Sequence, residues 1–359
     1  MNLKLVKSVE NIKKNTVKLY CPIRNELSLL PLFLEYHRNL GIGCFVFVDN
    51  DSIDGSLDFL LTQDDCIVYQ TKDSFKRANY AINWINELMQ LHSRDQWAIY
   101  LDCDEFLVYE NCESVPLADF LRSYNYADHN SFYAIMIDMY SDKEFGVFDI
   151  KDRCSLINTL YIDTDYIFRK YPRRPFKKCS QKSNIEVLGG PRCRIYSSPT
   201  IQNKRDWFYY LVAGQVDRFI KYIPIYLMPL LSRIWPRTPL AQYKTPVNFI
   251  SNEFNYDSNH GSNNTLKADY MLGILHLKFS DELAQKIDPI FSYNNHYRRG
   301  LERFRLNYNL KNLNSKSLLC SCSKIYRGSK TLAKHGIIGN EPSVVFTSNT
   351  AYFRTKMVP

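Results

Sequence analysis

Two carboxylates one residue apart, Asp102 and Asp104, are the side chains of this sequence whose spacing points most directly to chemistry. They follow residues 97–101, an apolar and aromatic run without a breaker that predicts a buried strand. The carboxyl ends of strands in open α/β sheets form the ligand-binding edge. Carboxylate oxygens suit Mg²⁺ or Mn²⁺, which keep coordination positions open for substrate phosphates. The spacing therefore predicts a divalent cation that bridges the protein to a diphosphate.

The elements before Asp102 add weight to this signal, because an isolated Asp-x-Asp pair also arises at strand ends for reasons of solvation alone. Strand patterns alternate with helical patterns at residues 17–21, 29–40, 44–48, 57–61, 66–70 and 75–91. Alternation through short connections predicts an α/β fold with a parallel, doubly wound sheet. Asp102 then follows the fourth strand of that sheet.

Several sequence blocks occur in one order along residues 17–279. They are Cys-Pro-Ile-Arg-Asn-Glu from Cys21, Val-Asp-Asn-Asp-Ser-Ile-Asp-Gly-Ser from Val48, Tyr-Leu-Asp-Cys-Asp-Glu-Phe from Tyr100, Asp-Met-Tyr from Asp138, Gly-Gly-Pro-Arg-Cys-Arg from Gly189, Lys-Thr-Pro from Lys244 and Leu-His-Leu-Lys-Phe from Leu275. Together they resemble the bacterial family 2-like glycosyltransferases of the Asp-x-Asp-Glu-Phe subgroup. The resemblance implies a GT-A fold, a Rossmann-like α/β fold with a mixed, mostly parallel sheet and helical C-terminal additions.

The resemblance also implies an activity, the metal-dependent transfer of a sugar from a nucleoside-diphosphate sugar, with a UDP-sugar as the first expectation. The acceptor would be a glycan or a lipid-linked glycan in the synthesis of a bacterial surface polysaccharide such as lipopolysaccharide. The departing diphosphate needs its charge neutralised, which Mn²⁺ or Mg²⁺ held by Asp102 and Asp104 would do. His276 resembles the histidine that completes the metal site, and His260 competes for that role. The alternative for His276 is a core histidine with one hydrogen bond.

Residues after the first two strands would surround the nucleotide by the same resemblance, and Asp102, Arg77 and Lys278 would lie near its phosphates. A carboxylate such as Asp49 can accept both ribose hydroxyls, and Asn25 can recognise a base edge. The full nucleotide set is Arg24, Asn25, Glu26, Asp49, Asn50, Ser52 and Asp54. Ser52 and Asp54 fit helix capping equally well, and Arg77 also fits an ordinary surface arginine.

An inverting transfer needs a general base for the acceptor hydroxyl, and Asp138 is the first choice because it ends the apolar run 132–137. Glu105 is the second candidate and would otherwise brace the metal ligands, and Glu186 is a third. A retaining enzyme could need no such base, so the anomeric outcome stays open. Basic residues of the later blocks would contact the acceptor or the phosphates: Arg192, Arg194 and Lys244.

The predicted catalytic domain spans residues 1–280 and has two halves. Residues 17–110 form the nucleotide-sugar half. Residues 130–280 form the acceptor half, which contains a basic and apolar insertion at about 169–243. Residues 281–359 form a helical C-terminal cap and tail.

The charge is basic overall, with 46 Lys and Arg against 37 Asp and Glu, and part of the excess lies in residues 169–182. The apolar, proline-interrupted segment 219–240 follows. Such a segment with flanking cations fits contact with an anionic membrane surface, where lipid-linked acceptors occur, and a buried insertion over the acceptor cleft fits as well. No nucleic-acid-binding module accompanies the charge, so no nucleic-acid partner is expected.

The ten cysteines show neither Cys-x-x-Cys pairs nor zinc spacing, and Cys320-Ser321-Cys322 is the tightest group. This pattern predicts reduced cysteines. The chain begins without a secretory-type apolar stretch and has no run of about 20 apolar residues. We therefore expect a cytoplasmic protein, at most peripheral at the inner face of the cell membrane.

Two other classes compete with the transferase. Haloacid-dehalogenase-type phosphatases also carry Asp-x-Asp at a strand end, but after the first strand and before Thr or Val, whereas Glu105 and Phe106 follow here. A non-catalytic nucleotide-sugar or membrane-binding module is the second alternative. Such a module would tolerate loss of the carboxylates.

Overall fold

The computed structural model describes residues 2–13, 16–144, 147–149, 156–170, 185–192, 240–241, 243–279 and 317–340. Its strands are β1 (Lys4–Lys7), β2 (Lys18–Ile23), β3 (Cys44–Asp49), β4 (Cys66–Gln70), β5 (Trp97–Tyr100), β6 (Glu105–Val108), β7 (Ser131–Asp138), β8 (Tyr161–Asp163), β9 (Ile167–Lys170), β10 (Ile185–Leu188), β11 (Leu240–Ala241), β12 (Tyr243–Phe249), β13 (Tyr256–Ser258), β14 (Gly261–Ser262), β15 (Lys267–His276), β16 (Ser323–Ile325) and β17 (Gly339–Asn340). Its α-helices are α1 (Leu30–Asn39), α2 (Ser56–Leu61), α3 (Ile82–His92), α4 (Leu117–Arg122) and α5 (Ser329–Lys334).

A mixed ten-stranded sheet forms the centre of the described fold, in the order β1-β4-β3-β2-β5-β12-β7-β15-β17, with β6 also paired to β15. Strands β4, β3, β2 and β5 run parallel, as the sequence predicted for these four strands. The other half joins β12 antiparallel to β5 and β7, and β15 parallel to β7. The fold is therefore mixed α/β with a parallel run at its centre.

Helices cover both faces of the parallel run, which explains its nearly continuous apolar sequence. Phe45 and Phe47 of β3 pack in one core with α1, α2 and α4. Val46 and Val48, on the opposite face, pack in a second core with α3. Because successive side chains of a strand point to opposite faces, both faces of β3 need apolar residues.

Helix α3 begins at Ile82, so the predicted start at residue 75 was wrong. Asn79, Tyr80 and Ala81 have φ angles of 51°, 57° and 69°, a left-handed backbone that an α-helix excludes. Arg77 consequently lies in the turn before α3 and not inside the helix. The apolar spacing that suggested a longer helix reflects Phe75 packing against the same core as α3.

The residues that position the site lie at the ends of β5, β7 and β15. Strand β15 ends at His276, so Lys278 lies beyond the strand. None of the helices in the described parts of the chain has the length and apolar content needed to cross a bilayer. Most of the insertion at 169–243, including residues 219–239, lies outside the described residues, and so do residues 280–316 at the start of the predicted helical cap.

Candidate active site

The register of β15 places His276 opposite two acidic residues. His276 is aligned with Asp138 of the parallel strand β7 and with Glu105 of the antiparallel strand β6. Its Nδ1 lies 2.7 Å from Asp138 Oδ1, and its Nε2 lies 3.3 Å from Asp104 Oδ2. The side chain is buried. The imidazole therefore bridges the Asp104 and Asp138 carboxylates at the carboxyl end of the sheet.

The pKa values in this group follow from burial opposed by charge pairing. Burial alone would lower the pKa of His276, but Asp104 and Asp138 outweigh it and raise that pKa. Burial would raise the pKa of Asp138, and Arg192 together with His276 instead lowers it to about 2. Burial likewise opposes ionisation of Asp104, and His276, with help from Lys278 and Lys244, lowers its pKa. Both aspartates are therefore carboxylates at neutral pH.

A second group surrounds the buried ammonium of Lys244. Its Nζ lies 2.8 Å from Asp102 Oδ2 and 2.5 Å from Glu105 Oε1, while Glu105 Oε2 accepts a hydrogen bond of 3.0 Å from the Asp102 backbone N–H. Burial would lower the pKa of Lys244, but Asp102 and Glu105 raise it. Burial raises the pKa of Glu105, with Lys244 opposing that rise. Lys244 is thus a fixed cation beside the Asp-x-Asp pair.

An irregularity in β12 explains how Lys244 reaches this position. The register between β12 and β7 shifts between Lys244 and Val247, and Pro246 lies within the shift. Proline cannot donate to a ladder and is tolerated inside a sheet mainly at bulges. Val247 pairs with Ile99 of β5, so Lys244 lies at the carboxyl end of β5.

Asp104, Glu105 and His276 form a possible metal site, since one ligand atom from each lies within 4.8 Å of the others. Two carboxylates and an imidazole are suitable ligands for Mn²⁺. The contact of His276 Nδ1 with Asp138 also matches the outer hydrogen bond that orients metal-ligating histidines. Asp102 lies next to this group with its Oδ2 bound to Lys244. His260 is outside the group, with its Nδ1 3.3 Å from the Tyr243 carbonyl oxygen.

The loops after β2 and β3 are joined by the polar side chains predicted to bind nucleotide. Ser52 Oγ accepts a 2.9 Å hydrogen bond from the Asn25 N–H, and Asn25 Oδ1 accepts one of 2.8 Å from the Ile53 N–H. Asp54 accepts from the Leu27 N–H at 3.0 Å and from the N–H and hydroxyl of Ser56, at the start of α2. Asp54 therefore stabilises the loop before α2, but the N-cap position belongs to Gly55 and no side chain caps this helix, so the capping alternative for Ser52 and Asp54 was wrong.

Asp49 and Asn50 differ in what their buried side chains bind. Asn50 Nδ2 donates to the carbonyl oxygens of Thr71 and Asp73 at 3.1 and 3.0 Å, so it ties β3 to the chain after β4. Asp49 Oδ2 accepts from the Ser52 N–H at 3.3 Å. The Oδ1 atom of Asp49 is buried and has no hydrogen-bond partner among the residues that the structure describes. One carboxylate oxygen of Asp49 is therefore unsatisfied among the contacts of the described residues.

The remaining predicted residues divide by location. Arg24 and Arg77 are exposed, and Glu26 is half-buried. Arg192 is buried, with its Nε 2.5 Å from Asp138 Oδ2. Arg194 and the side chain of Glu186 lie outside the described residues. The sequence identified Lys244 and Arg192 as phosphate or acceptor contacts. It did not reveal their carboxylate partners, because those partners lie far away in the chain and no local pattern links them.

Comparison with known proteins gives little similarity. No protein-family model matches the sequence, and no curated protein sequence does. Among solved structures, the chain is similar to the mannosyltransferase PcManGT from Pyrobaculum calidifontis in complex with GDP-Man and Mn²⁺, at 15% identity and a TM-score of 0.27, over 37% of this chain and 39% of that chain. It is also similar to a UDP-glucose pyrophosphorylase complexed with UDP-glucose, at 9% identity and a TM-score of 0.22, over 48% of this chain and 74% of that chain. The matched part thus spans well under two thirds of the mannosyltransferase.

Proposed function

We propose that this protein is a metal-dependent glycosyltransferase that uses a nucleoside-diphosphate sugar. The observation that carries the proposal is the convergence of Asp104, Glu105 and His276 at the carboxyl edge of the sheet, beside the Asp102–Lys244 ion pair. Carboxylates with an imidazole fit Mn²⁺ or Mg²⁺, and a neighbouring ammonium fits phosphate oxygens. The ordered sequence blocks that resemble family 2-like glycosyltransferases provide independent support.

His276 and Asp138 act together in this proposal. With a metal ion bound, His276 would be neutral because the ion replaces its Nε2 proton; its Nδ1–H would still donate to Asp138, and its Nε2 would face Asp104 at a fixed ring orientation. Mn²⁺ or Mg²⁺ held by Asp104 and His276, with Asp102 or Glu105, would supply the positive charge that stabilises a departing diphosphate.

Lys244 and the nucleotide loops supply the rest of the donor site. Lys244 contacts Asp102 and places a permanent positive charge beside the metal ligands, where it can pair with a phosphate oxygen. Asp49 Oδ1 is the acceptor for a ribose hydroxyl, because this oxygen has no hydrogen-bond partner among the described residues. Arg24, Asn25 and Glu26 flank the base, and Lys278 lies close enough to Asp104 to lower the pKa of that carboxyl.

The two candidate bases differ in proton affinity. Asp138 is held by His276 and Arg192 and has a pKa of about 2, which makes it a weak base. Burial raises the pKa of Glu105, which brings it nearer to the value that general base catalysis favours. The contacts of Asp138 therefore favour a positioning role through His276, and its role as a base stays a prediction.

In finer detail, we propose that the donor is a UDP-sugar and that the acceptor is a glycan or lipid-linked glycan of a bacterial surface polysaccharide. The protein would act in the cytoplasm, at the inner face of the membrane. The sequence resemblance and the excess of basic residues support this proposal. Arg192, which contacts Asp138, is the described arginine that we assign to the acceptor.

Thermal-shift and hydrolysis assays test the proposal. Purified protein is screened with UDP-, GDP-, CMP- and TDP-sugars, with and without Mn²⁺, because a ligand that binds only the native state raises the melting temperature. We expect one nucleotide class to bind in an Mn²⁺-dependent manner and to be hydrolysed slowly. Asp104→Ala should abolish both effects, whereas Asp119→Ala, whose half-exposed carboxylate pairs with Arg122, should retain them.

Three other outcomes would each replace the proposal. Phosphate trapped on Asp102 during hydrolysis of simple phosphomonoesters would indicate a phosphatase. Formation of a nucleoside triphosphate from pyrophosphate and a sugar nucleotide would indicate nucleotidyl transfer. Nucleotide binding that is indifferent to Mn²⁺ and survives Asp104→Ala would indicate a binding module.

A further inference from the structure

Cys320 and Cys322 lie in a fixed turn directly before β16. The Ser323 N–H donates to the Cys320 carbonyl oxygen at 3.1 Å, and the Cys320 N–H donates to Ser323 Oγ at 2.8 Å. Both the N–H and the hydroxyl of Thr164 donate to the Cys322 carbonyl oxygen, at 3.0 and 2.9 Å. The two Sγ atoms are 2.9 Å apart. The turn therefore holds the two thiols against each other before any bond joins them.

Ser323, which closes this turn, contacts the segment that follows Asp138 at the end of β7. Tyr140, two residues after Asp138, donates its hydroxyl to the buried Asp163 Oδ1 at 2.5 Å and lies 2.7 Å from Ser323 Oγ. Cys320 Sγ is 3.4 Å from Ser323 Oγ and 3.9 Å from Asp163 Oδ1. The thiol pair thus belongs to a small polar network beside the proposed active site, and it has no part in the proposed reaction.

Another thiol pair in the chain provides a comparison. Cys21 and Cys103 also contact each other, but both are buried, and burial raises the pKa of each thiol. Cys320 and Cys322 are partly exposed. Thiol exchange needs access of the reagent and a thiolate, so the two pairs should differ in reactivity.

Asp163, Cys320 and Cys322 each place one ligand atom within 4.8 Å of the others, a spacing that also suits a metal ion. Two thiolates on one tetrahedral Zn²⁺, with Zn–S bonds of about 2.3 Å, lie about 3.8 Å apart. The Sγ separation of 2.9 Å is shorter than that. Asp163 Oδ1 also accepts the Tyr140 hydroxyl already. The geometry favours a bond between the sulfurs over a shared metal.

We propose that Cys320 and Cys322 form a reversible disulfide within this turn by exchange with a small-molecule disulfide such as oxidised glutathione. One cysteine thiolate attacks the oxidant and forms a mixed disulfide while one glutathione thiolate leaves. The second cysteine thiolate then attacks the protein sulfur of the mixed disulfide, and the second glutathione leaves. Two electrons pass from the cysteine pair to the oxidant, and the two cysteine protons end on the two glutathione thiols.

Thiol mapping of the native full-length protein tests this proposal. The protein is equilibrated in buffers of decreasing ratio of reduced to oxidised glutathione, quenched with acid, alkylated with N-ethylmaleimide and digested for mass spectrometry. We expect the peptide with Cys320 and Cys322 to lose two hydrogen atoms and both alkylation sites, and to regain them after reduction. Cys21 and Cys103 should stay reduced under the same native conditions.

Two variants make the result specific. In Cys322→Ser the remaining Cys320 has no neighbouring thiol to displace glutathione, so a stable glutathione adduct should accumulate there. Cys21→Ser should behave like the native protein. The proposal fails if both thiols stay alkylatable at oxidising ratios, if a mixed disulfide persists in the native protein, or if Cys320 joins a different cysteine. One equivalent of zinc that is lost in Cys322→Ser would also overturn it, in favour of a metal site.

Discussion

The Nζ atom of Lys244 lies 2.8 Å from the Oδ2 atom of Asp102, so the first carboxylate of the Asp-x-Asp pair is bound to a buried lysine. Glu105 accepts from the same ammonium at 2.5 Å. Moving such charges out of water is costly, and each charge in the group is tolerated because its partners are present. The site therefore combines negative charge for a metal with positive charge for phosphate in one network, in which Lys244 and Glu105 are buried and Asp102 is partly exposed.

Substitution Lys244→Met should reduce stability, because it leaves Asp102 and Glu105 without their cation. Removal of one partner of a buried ion pair costs about 3–5 kcal/mol, measurable by urea unfolding. The matched control is Lys72→Met, since Lys72 is exposed and lies 3.3 Å from Asp51. That control should change the free energy of unfolding by no more than about 0.5 kcal/mol. A Lys244→Met protein as stable as the native one would contradict the pairing.

The proposed metal site predicts that Asp138→Asn weakens Mn²⁺ binding without removing a ligand. Asp138 accepts from His276 Nδ1, and loss of such an orienting partner lowers metal affinity about 10–100-fold. Titration calorimetry of Mn²⁺ in the absence of donor measures this directly, with Asp119→Asn as the control. If Asp138 were only a general base, Mn²⁺ affinity would stay unchanged and kcat alone would fall.

The burial of His37 predicts that the protein loses stability in mild acid. This buried imidazole lies 2.9 Å from the Phe33 carbonyl oxygen, and its Nε2 accepts from the Leu107 N–H at 3.4 Å. Burial lowers the pKa of His37 to about 3. At pH values between about 3 and the ordinary pKa of about 6.5, His37 is protonated in the unfolded chain but neutral in the native protein. Stability should therefore be unaffected by His37 above pH 6.5 and fall as the pH decreases below it.

Comparison of the native protein with His37→Gln isolates this contribution, because the carboxylates titrate in both. Urea unfolding at pH 7, 6 and 5 should show the native protein losing up to about 1.4 kcal/mol per pH unit more than the variant. The difference at pH 7 alone reflects packing and hydrogen bonding and is not diagnostic. Equal slopes for the two proteins would show that His37 is protonated in the native state.

The sequence predicted the parallel half of the fold because apolar runs and capping residues are local signals. It misplaced the start of α3, since left-handed backbone at Asn79, Tyr80 and Ala81 leaves no mark on the apolar spacing. The pairing of His276 with Asp138 depends on the register of two strands far apart in the chain, which no local pattern encodes. The residue types were enough to identify the charged groups of the site. Their partners could be identified only from the strand order and register of the folded sheet.

Gly273 provides a test of how tightly that register is held. A Cβ atom at this position would lie 2.7 Å from Val108 Cγ1 of β6 and 3.1 Å from Ile137 Cδ1 of β7. Gly273→Ala should therefore push β15 away from both neighbours, three residues before His276, and lower stability by about 1–3 kcal/mol. At Gly261, where a Cβ would meet nothing within 4 Å, the same change should cost much less.

The double variant Gly273→Ala, Val108→Ala distinguishes a steric clash with Val108 from an unfavourable effect of alanine in β15 that is independent of that contact. Removing Val108 Cγ1 removes the shortest of the contacts, so the double variant should lose less stability than the sum of the two single variants. Mn²⁺ affinity should also fall in Gly273→Ala and recover in part in the double variant, because His276 and Glu105 are aligned through the β15–β6 register. Additive losses would show that β15 accommodates the methyl group without moving, and that the site does not depend on this close contact.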